Sequence, residues 1–131
     1  MPAVTGNAIL IVEDQIAMRY LLETFLGRTY EVVSCRDGLE AFSWLAVGNV
    51  PALVVLDLAM PRLDGMTFLT QLRSSGWYRE VPVIVVSADG AEMDAQQCAQ
   101  LNVADVLVKP FDPKRLLQTV DQILHKSSVP L

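Results

Sequence analysis

Five polar residues stand at the ends of short apolar runs. Glu13 and Asp14 follow Ile9 to Val12, Asp57 follows Leu53 to Leu56, Ser87 follows Val83 to Val86, and Lys109 follows Val106 to Val108. If these runs are neighbouring parallel strands, their side chains share one shallow pocket, because ligands of open parallel sheets collect outside the carboxyl ends of the strands. Three carboxylates gathered that closely repel one another unless a cation sits among them. An all-oxygen donor set that leaves room for water favours Mg²⁺, which binds one or two carboxylates and keeps much of its hydration.

The pocket requires a particular scaffold. Four of the runs above are continuously apolar, as strands are when helices cover both faces of a parallel sheet. A fifth run, Glu31 to Cys35, mixes in Glu31 and Ser34, which suits an edge strand. Between the runs, apolar residues recur at helical spacing: Ala17/Met18, Leu21/Leu22 and Phe25/Leu26; then Leu39, Phe42 and Leu45; then Phe68/Leu69 and Leu72. Leu116/Leu117, Val120 and Ile123/Leu124 make the strongest stripe, opened by Asp112-Pro113, a helix start. The fourth helix, expected over Ala91 to Gln100 with Asp89 and Glu92 as a capping box, has only Met93, Cys98 and alanines to bury. A stripe that thin predicts loose packing and mobility. A βα unit repeated five times is an α/β fold, a parallel sheet with helices on both faces.

Composition narrows the function. A length of 131 residues fits one domain, expected to span 1–131 with its core over about 8–126. Ten basic against fifteen acidic residues leave a net charge of -5, which argues against direct nucleic-acid binding. No stretch nears the ~20 apolar residues of a membrane helix, and Met1 to Asn7 lacks the basic start of a signal peptide. A soluble, cytoplasmic protein is expected. Cys35 and Cys98 lack metal spacing and are read as buried, reduced thiols.

Four segments together resemble the signature stretches of response regulator receiver domains: Ile11-Val12-Glu13-Asp14, Asp57 to Gly65 (Asp-Leu-Ala-Met-Pro-Arg-Leu-Asp-Gly), Val85-Val86-Ser87-Ala88 and Val108-Lys109-Pro110-Phe111. The resemblance spans nearly the whole chain. It implies a flavodoxin-like, doubly wound (βα)5 fold with strand order 2-1-3-4-5. It implies that Asp57 accepts a phosphoryl group as an acyl phosphate. Glu13 and Asp14 would be the acidic pair that holds Mg²⁺ with Asp57, and the backbone carbonyl of Ala59 a further metal ligand. Lys109 would pair with the phosphoryl oxygens, Ser87 would hydrogen-bond them, and Lys109-Pro110 would be a cis peptide. The implied partners are a sensor histidine kinase or phosphotransfer protein upstream and a protein target or output domain downstream. Homodimer formation is open to such a domain. The implied switch surface is the fourth helix, fifth strand and fifth helix, and the domain is a phosphoacceptor, not an enzyme acting on others.

Three rival functions share parts of this pattern. Phosphatases of the haloacid dehalogenase type use a strand-end aspartate, but with a second aspartate two residues on, where Ala59 stands here. A flavin-binding electron carrier needs a phosphate-cradling first loop, which Glu13-Asp14-Gln15 would repel. The third is a receiver-like interaction module that works without phosphorylation. Two departures from the receiver pattern stand out. Val106 occupies the place of a switching aromatic residue, and Asn102 replaces the glycine of the turn before the last strand, where asparagine tolerates the left-handed conformation. His125, on a polar helix end, is not expected to act in catalysis; Trp44, Trp77 and Tyr78 are expected in packing or partner contacts.

Overall fold

A computed structural model of the chain describes residues 3–4, 8–60, 64–88 and 95–126. Five strands form one parallel sheet: β2 (Ile9–Val12), β3 (Val32–Cys35), β5 (Leu53–Asp57), β6 (Val83–Ser87) and β7 (Val103–Val108). Their spatial order, β3-β2-β5-β6-β7, is the order 2-1-3-4-5 counted along this sheet. Two further strands, β1 (Ala3–Val4) and β4 (Asn49–Val50), pair with each other in parallel. The helices are α1 (Ile16–Leu26), α2 (Gly38–Ala46), α3 (Gly65–Ser74), α4 (Ala95–Gln100) and α5 (Pro113–Lys126).

The alternation of side chains along each strand divides the core into two layers. Leu10, Val12, Val54, Leu56, Val83 and Val85 pack with Leu45 of α2 and Phe68, Leu69 and Leu72 of α3. Ile9, Ile11, Leu53, Val55, Ile84 and Val86 pack with Leu22 and Leu26 of α1 and Leu116 and Val120 of α5. Every residue of β2, β5 and β6 is therefore buried, which is why these runs are unbroken by polar residues. Burying each such aliphatic side chain contributes about 1.5–3 kcal/mol. The sheet is a rigid floor for whatever its strand ends carry.

The edges differ from expectation in informative ways. β3 is an edge strand as expected, but it begins at Val32 and leaves Glu31 outside. β7 is the other edge and starts at Val103, three residues before the expected Val106. Ala104 lies between Val103, opposite Val83, and Asp105, opposite Ile84, so a bulge resets the alternation. Asn102 enters β7 with φ 54, the left-handed conformation its type allows. Cys35 is buried, whereas Cys98 is half-buried, a correction to the expectation of two buried thiols; both are free.

Side-chain caps fix three helix starts. Asp37 accepts from the Glu40 amide at 2.9 Å, Asp64 from the Thr67 amide at 2.9 Å and Asp112 from the Lys114 amide at 2.9 Å. The Asp89–Glu92 capping box, Met93, the Pro61-Arg62-Leu63 part of the second signature segment and most of Met1 to Asn7 lie outside the described residues. Among the described residues, no helix is long and apolar enough to cross a membrane.

Candidate functional site

The carboxyl ends of β2, β5, β6 and β7 meet at one end of the sheet. β5 ends in Asp57, 3% exposed, and β6 ends in Ser87, fully buried. β2 runs directly into Glu13, 1% exposed, and the half-buried Asp14. Lys109 follows β7, and its amide donates to the Ser87 carbonyl at 2.8 Å, which extends the β6–β7 pairing up to the pocket. The Lys109-Pro110 peptide is cis, as the resemblance implied.

The side chains converge. One carboxylate oxygen from each of Glu13, Asp14 and Asp57 lies within 4.8 Å of the others. The Lys109 ammonium sits 3.3 Å from Glu13 Oε1 and 3.5 Å from Asp57 Oδ2. The Ala59 amide donates to Asp57 Oδ1 at 3.1 Å, so the residue after next orients the Asp57 carboxylate. The Gln15 amide donates to Glu13 Oε2 at 3.1 Å. Glu13 Oε1 is buried without a hydrogen bond, although Lys109 lies beside it.

Charge is crowded here. Burial pushes the Glu13 carboxyl up to about 7; the neighbouring Asp57 carboxylate pushes the same way, against the Gln15 amide and Lys109. Burial pulls the Lys109 ammonium down, but Glu13 and Asp57 outweigh it and hold Lys109 above its ordinary value. One ammonium for three acidic groups leaves the pocket short of positive charge. The unsatisfied Glu13 Oε1 and the clustered oxygens suit a hard divalent cation.

The start of α3 presses on the same strand end. The Gly65 amide donates to the Leu58 carbonyl at 3.0 Å. A Cβ on Gly65 would lie 2.5 Å from Leu58 Cα and 2.6 Å from the Asp57 carbonyl oxygen, a close approach that only glycine permits.

The sequence pattern placed Glu13, Asp14, Asp57, Ser87 and Lys109 at one end of one sheet, and the resemblance added Ala59; the structure gathers the side chains of Glu13, Asp14, Asp57 and Lys109 there, with Ser87 joined through its carbonyl and Ala59 through its amide. It missed Arg19, whose Nη1 donates to the Glu13 carbonyl at 2.9 Å and reaches the Asp14 carbonyl at 3.5 Å. The residues expected outside the pocket stay outside it. Exposed His125 lies on α5, Trp44 packs half-buried on the core from α2, and Tyr78 donates its hydroxyl to the Leu45 carbonyl at 2.9 Å. Trp77 is exposed in the loop after α3.

A doubly wound parallel sheet with an acidic cluster and a lysine at its strand ends is the architecture of a signalling receiver. Residues 9–121 match the family described as the response regulator receiver domain, and the chain belongs to that family. It is 38% identical over 128 residues to a probable transcriptional regulator, ycf27, of Cyanophora paradoxa, covering 97% of this chain and 52% of that one. It is 34% identical over 123 residues to the transcriptional regulatory protein SrrA of Staphylococcus aureus, covering 93% and 49%. The chain thus spans about half the length of these curated relatives. Among solved structures, it resembles the receiver domain of the sensor histidine kinase PA1611 of Pseudomonas aeruginosa, with TM-score 0.80 and 28% identity over 92% of this chain and 99% of that one. That receiver was solved with a magnesium ion coordinated in its active-site cleft.

Proposed function

We propose that this chain is a phosphoacceptor: a single receiver domain over residues 1–131, with its core over about 8–126, that takes a phosphoryl group on Asp57 from a histidine kinase or phosphotransfer protein. The observation that carries this reading is the convergence of Asp57 with an ammonium 3.5 Å away and two further carboxylates within 4.8 Å. A carboxylate oxygen of Asp57 forms the new bond to phosphorus, and the bond from phosphorus to the donor nitrogen breaks, leaving its electron pair on nitrogen. Phosphoryl transfer asks the protein mainly for positioning and charge neutralisation. The Ala59 amide positions the nucleophile, and Lys109, a compact point charge, faces the arriving oxygens.

Asp14, Asp57 and the Ala59 carbonyl are the residues that would hold Mg²⁺, with Glu13 assisting. Bound there, the ion supplies the positive charge that Lys109 alone does not. Phosphorylation adds roughly -1.5 to -2 charges. Lys109 and Ser87 read that charge and pass it to the surface of α4, β7 and α5, where a protein target or an output domain is engaged. The net charge of -5 supports a protein partner over direct contact with nucleic acid.

Incubation with acetyl phosphate and Mg²⁺, followed by intact mass, tests the reading. The wild type gains one phosphoryl unit, and neither Asp57→Asn nor a sample in excess EDTA does. Labelling of Asp57→Asn at the wild-type yield refutes the assignment; a folded wild type that never labels favours a phosphorylation-independent interaction module.

A further inference from the structure

Arg19 stands outside the pocket and touches none of its carboxylates, yet it is tied to both acidic residues of the β2–α1 loop. Its guanidinium donates at 2.9 Å to the carbonyl of Glu13 and reaches that of Asp14 at 3.5 Å. Two other ties hold this loop. The Glu13 amide donates to the Cys35 carbonyl at 3.0 Å, which fixes the entry of the loop against β3. The Gln15 amide donates to Glu13 Oε2 at 3.1 Å, which fixes its exit. Gln15, at the N-cap of α1, makes no side-chain capping bond of its own.

The Gln15 tie has a weakness that the Arg19 tie lacks. It uses the Glu13 carboxylate, the group that must turn when a cation draws on it. The Arg19 bonds use only backbone carbonyls, so they leave both carboxylates free. We propose that Arg19 is a positioning residue for the cation site: it clamps the peptides of Glu13 and Asp14 from behind, so that their carboxylates face Asp57 whether or not the Gln15 tie is kept. The proposal rests on reading the cluster as a Mg²⁺ site. Residues that orient metal ligands without touching the metal typically change affinity 10–100-fold when removed.

The test is a Mg²⁺ titration followed by NMR at the amides of Gln15 and Ala59, which report directly on the Glu13 and Asp57 carboxylates. Wild type, Arg19→Met, Arg19→Lys and Asp14→Asn are compared, each checked for folding by its spectral dispersion. Arg19→Met keeps the apolar stem and loses the Nη1 donor; it binds about tenfold more weakly or worse. Arg19→Lys keeps the charge, but its ammonium stands one bond nearer the backbone than Nη1 and reaches the two carbonyls less well, so it falls between Met and wild type. Arg19→Met within twofold of wild type, while Asp14→Asn loses affinity, overturns the role of Arg19 and leaves the cation site standing. Arg19→Lys equal to wild type assigns the effect to charge alone and overturns the clamp. Should Arg19→Met fail to fold, the Lys variant decides by the same criterion. No Mg²⁺-dependent shift in the wild type, or none lost in Asp14→Asn, removes the cation site and the inference together.

Discussion

Arg73, near the end of α3, offers the sharpest test of how the sheet end opposite the pocket is held. Its Nε donates to the Leu101 carbonyl at 2.7 Å, Nη1 to Tyr78 and Arg79 at 3.0 Å each, and Nη2 to Asn102 at 3.2 Å. One guanidinium thus ties α3 to the loop before β6 and to the turn between α4 and β7. Arg73→Met keeps the apolar stem and removes the fork. The Arg79 and Asn102 carbonyls are exposed and rebond to water at little cost. Those of Leu101 and Tyr78 are half-buried and lose about 1–2 kcal/mol each as partners of a charged donor. Burial lowers the Arg73 pKa, so relief of that burial returns part of the loss. The net destabilisation is about 2 kcal/mol. At roughly 3–5 °C per kcal/mol for a chain of this length, the melting temperature falls by about 6–10 °C. Urea unfolding measures it as a lower midpoint at unchanged slope. Arg73→Lys, a single point donor, loses about half as much. Hydrogen exchange localises the effect, because the Leu101 amide, bonded to Gln97, and the Asn102 amide, bonded to Ala99, exchange faster. A loss below about 0.5 kcal/mol, within the range of ordinary surface substitutions, or equal losses for Met and Lys, refutes the clamp.

Gly65→Ala forces a Cβ against backbone atoms of Leu58 and Asp57 that no rotamer change relieves. It costs about 3 kcal/mol or more and weakens phosphoryl labelling, whereas Gly76→Ala, with open space around it, is close to neutral; similar melting temperatures for the two count against the packing argument. Burial pushes the Cys35 thiol up to about 11, so its reactive thiolate is scarce below that pH, and native protein at pH 8 reacts with a disulfide reagent at half-buried Cys98 first. Equal rates at the two thiols contradict this. Within the output surface of α4, β7 and α5, the moving element is expected to be α4, whose apolar stripe is thin, because a valine at position 106 of β7 cannot swing between core and surface; beryllofluoride then shifts amides mainly from Ser87 to Gln100 and little around Val106. Large changes at Val106 and along α5 with α4 quiet show a different moving element.

The fold was legible where burial is symmetric. β2, β5 and β6 have helices on both faces, so selection for burial acts on every residue and leaves unbroken apolar runs. The edges were less legible because their pattern is mixed. Only Leu107 of β7 is buried, and the bulge at Ala104 followed by Asp105 hid half the strand. The β1–β4 pair, two residues on each side, is too short to show any period. Asn102 was legible for a different reason: the conformation required of that turn admits few residue types, and asparagine is one of them.

The candidate site was legible to the extent that its chemistry needs particular side chains. A carboxylate or an ammonium at the end of an apolar run is a departure from the strand's own pattern, and Glu13, Asp57 and Lys109 each make one. Arg19 and Arg73 make none. Their acceptors are backbone carbonyls, which every residue carries, so no partner type recurs at a readable spacing. Which carbonyls turn toward them is set by the β2–α1 loop and by the left-handed turn at Asn102, features that exist only once the sheet has assembled. The two arginines act at opposite ends of the sheet in a related way: a guanidinium gathers loop carbonyls, Arg73 through all three nitrogens and Arg19 through Nη1 alone, and a loop held by its backbone keeps its side chains free. At Arg19 those side chains are the acidic pair. This is why the groups that would react can be read along the chain, while the groups that aim them can be read only from the fold.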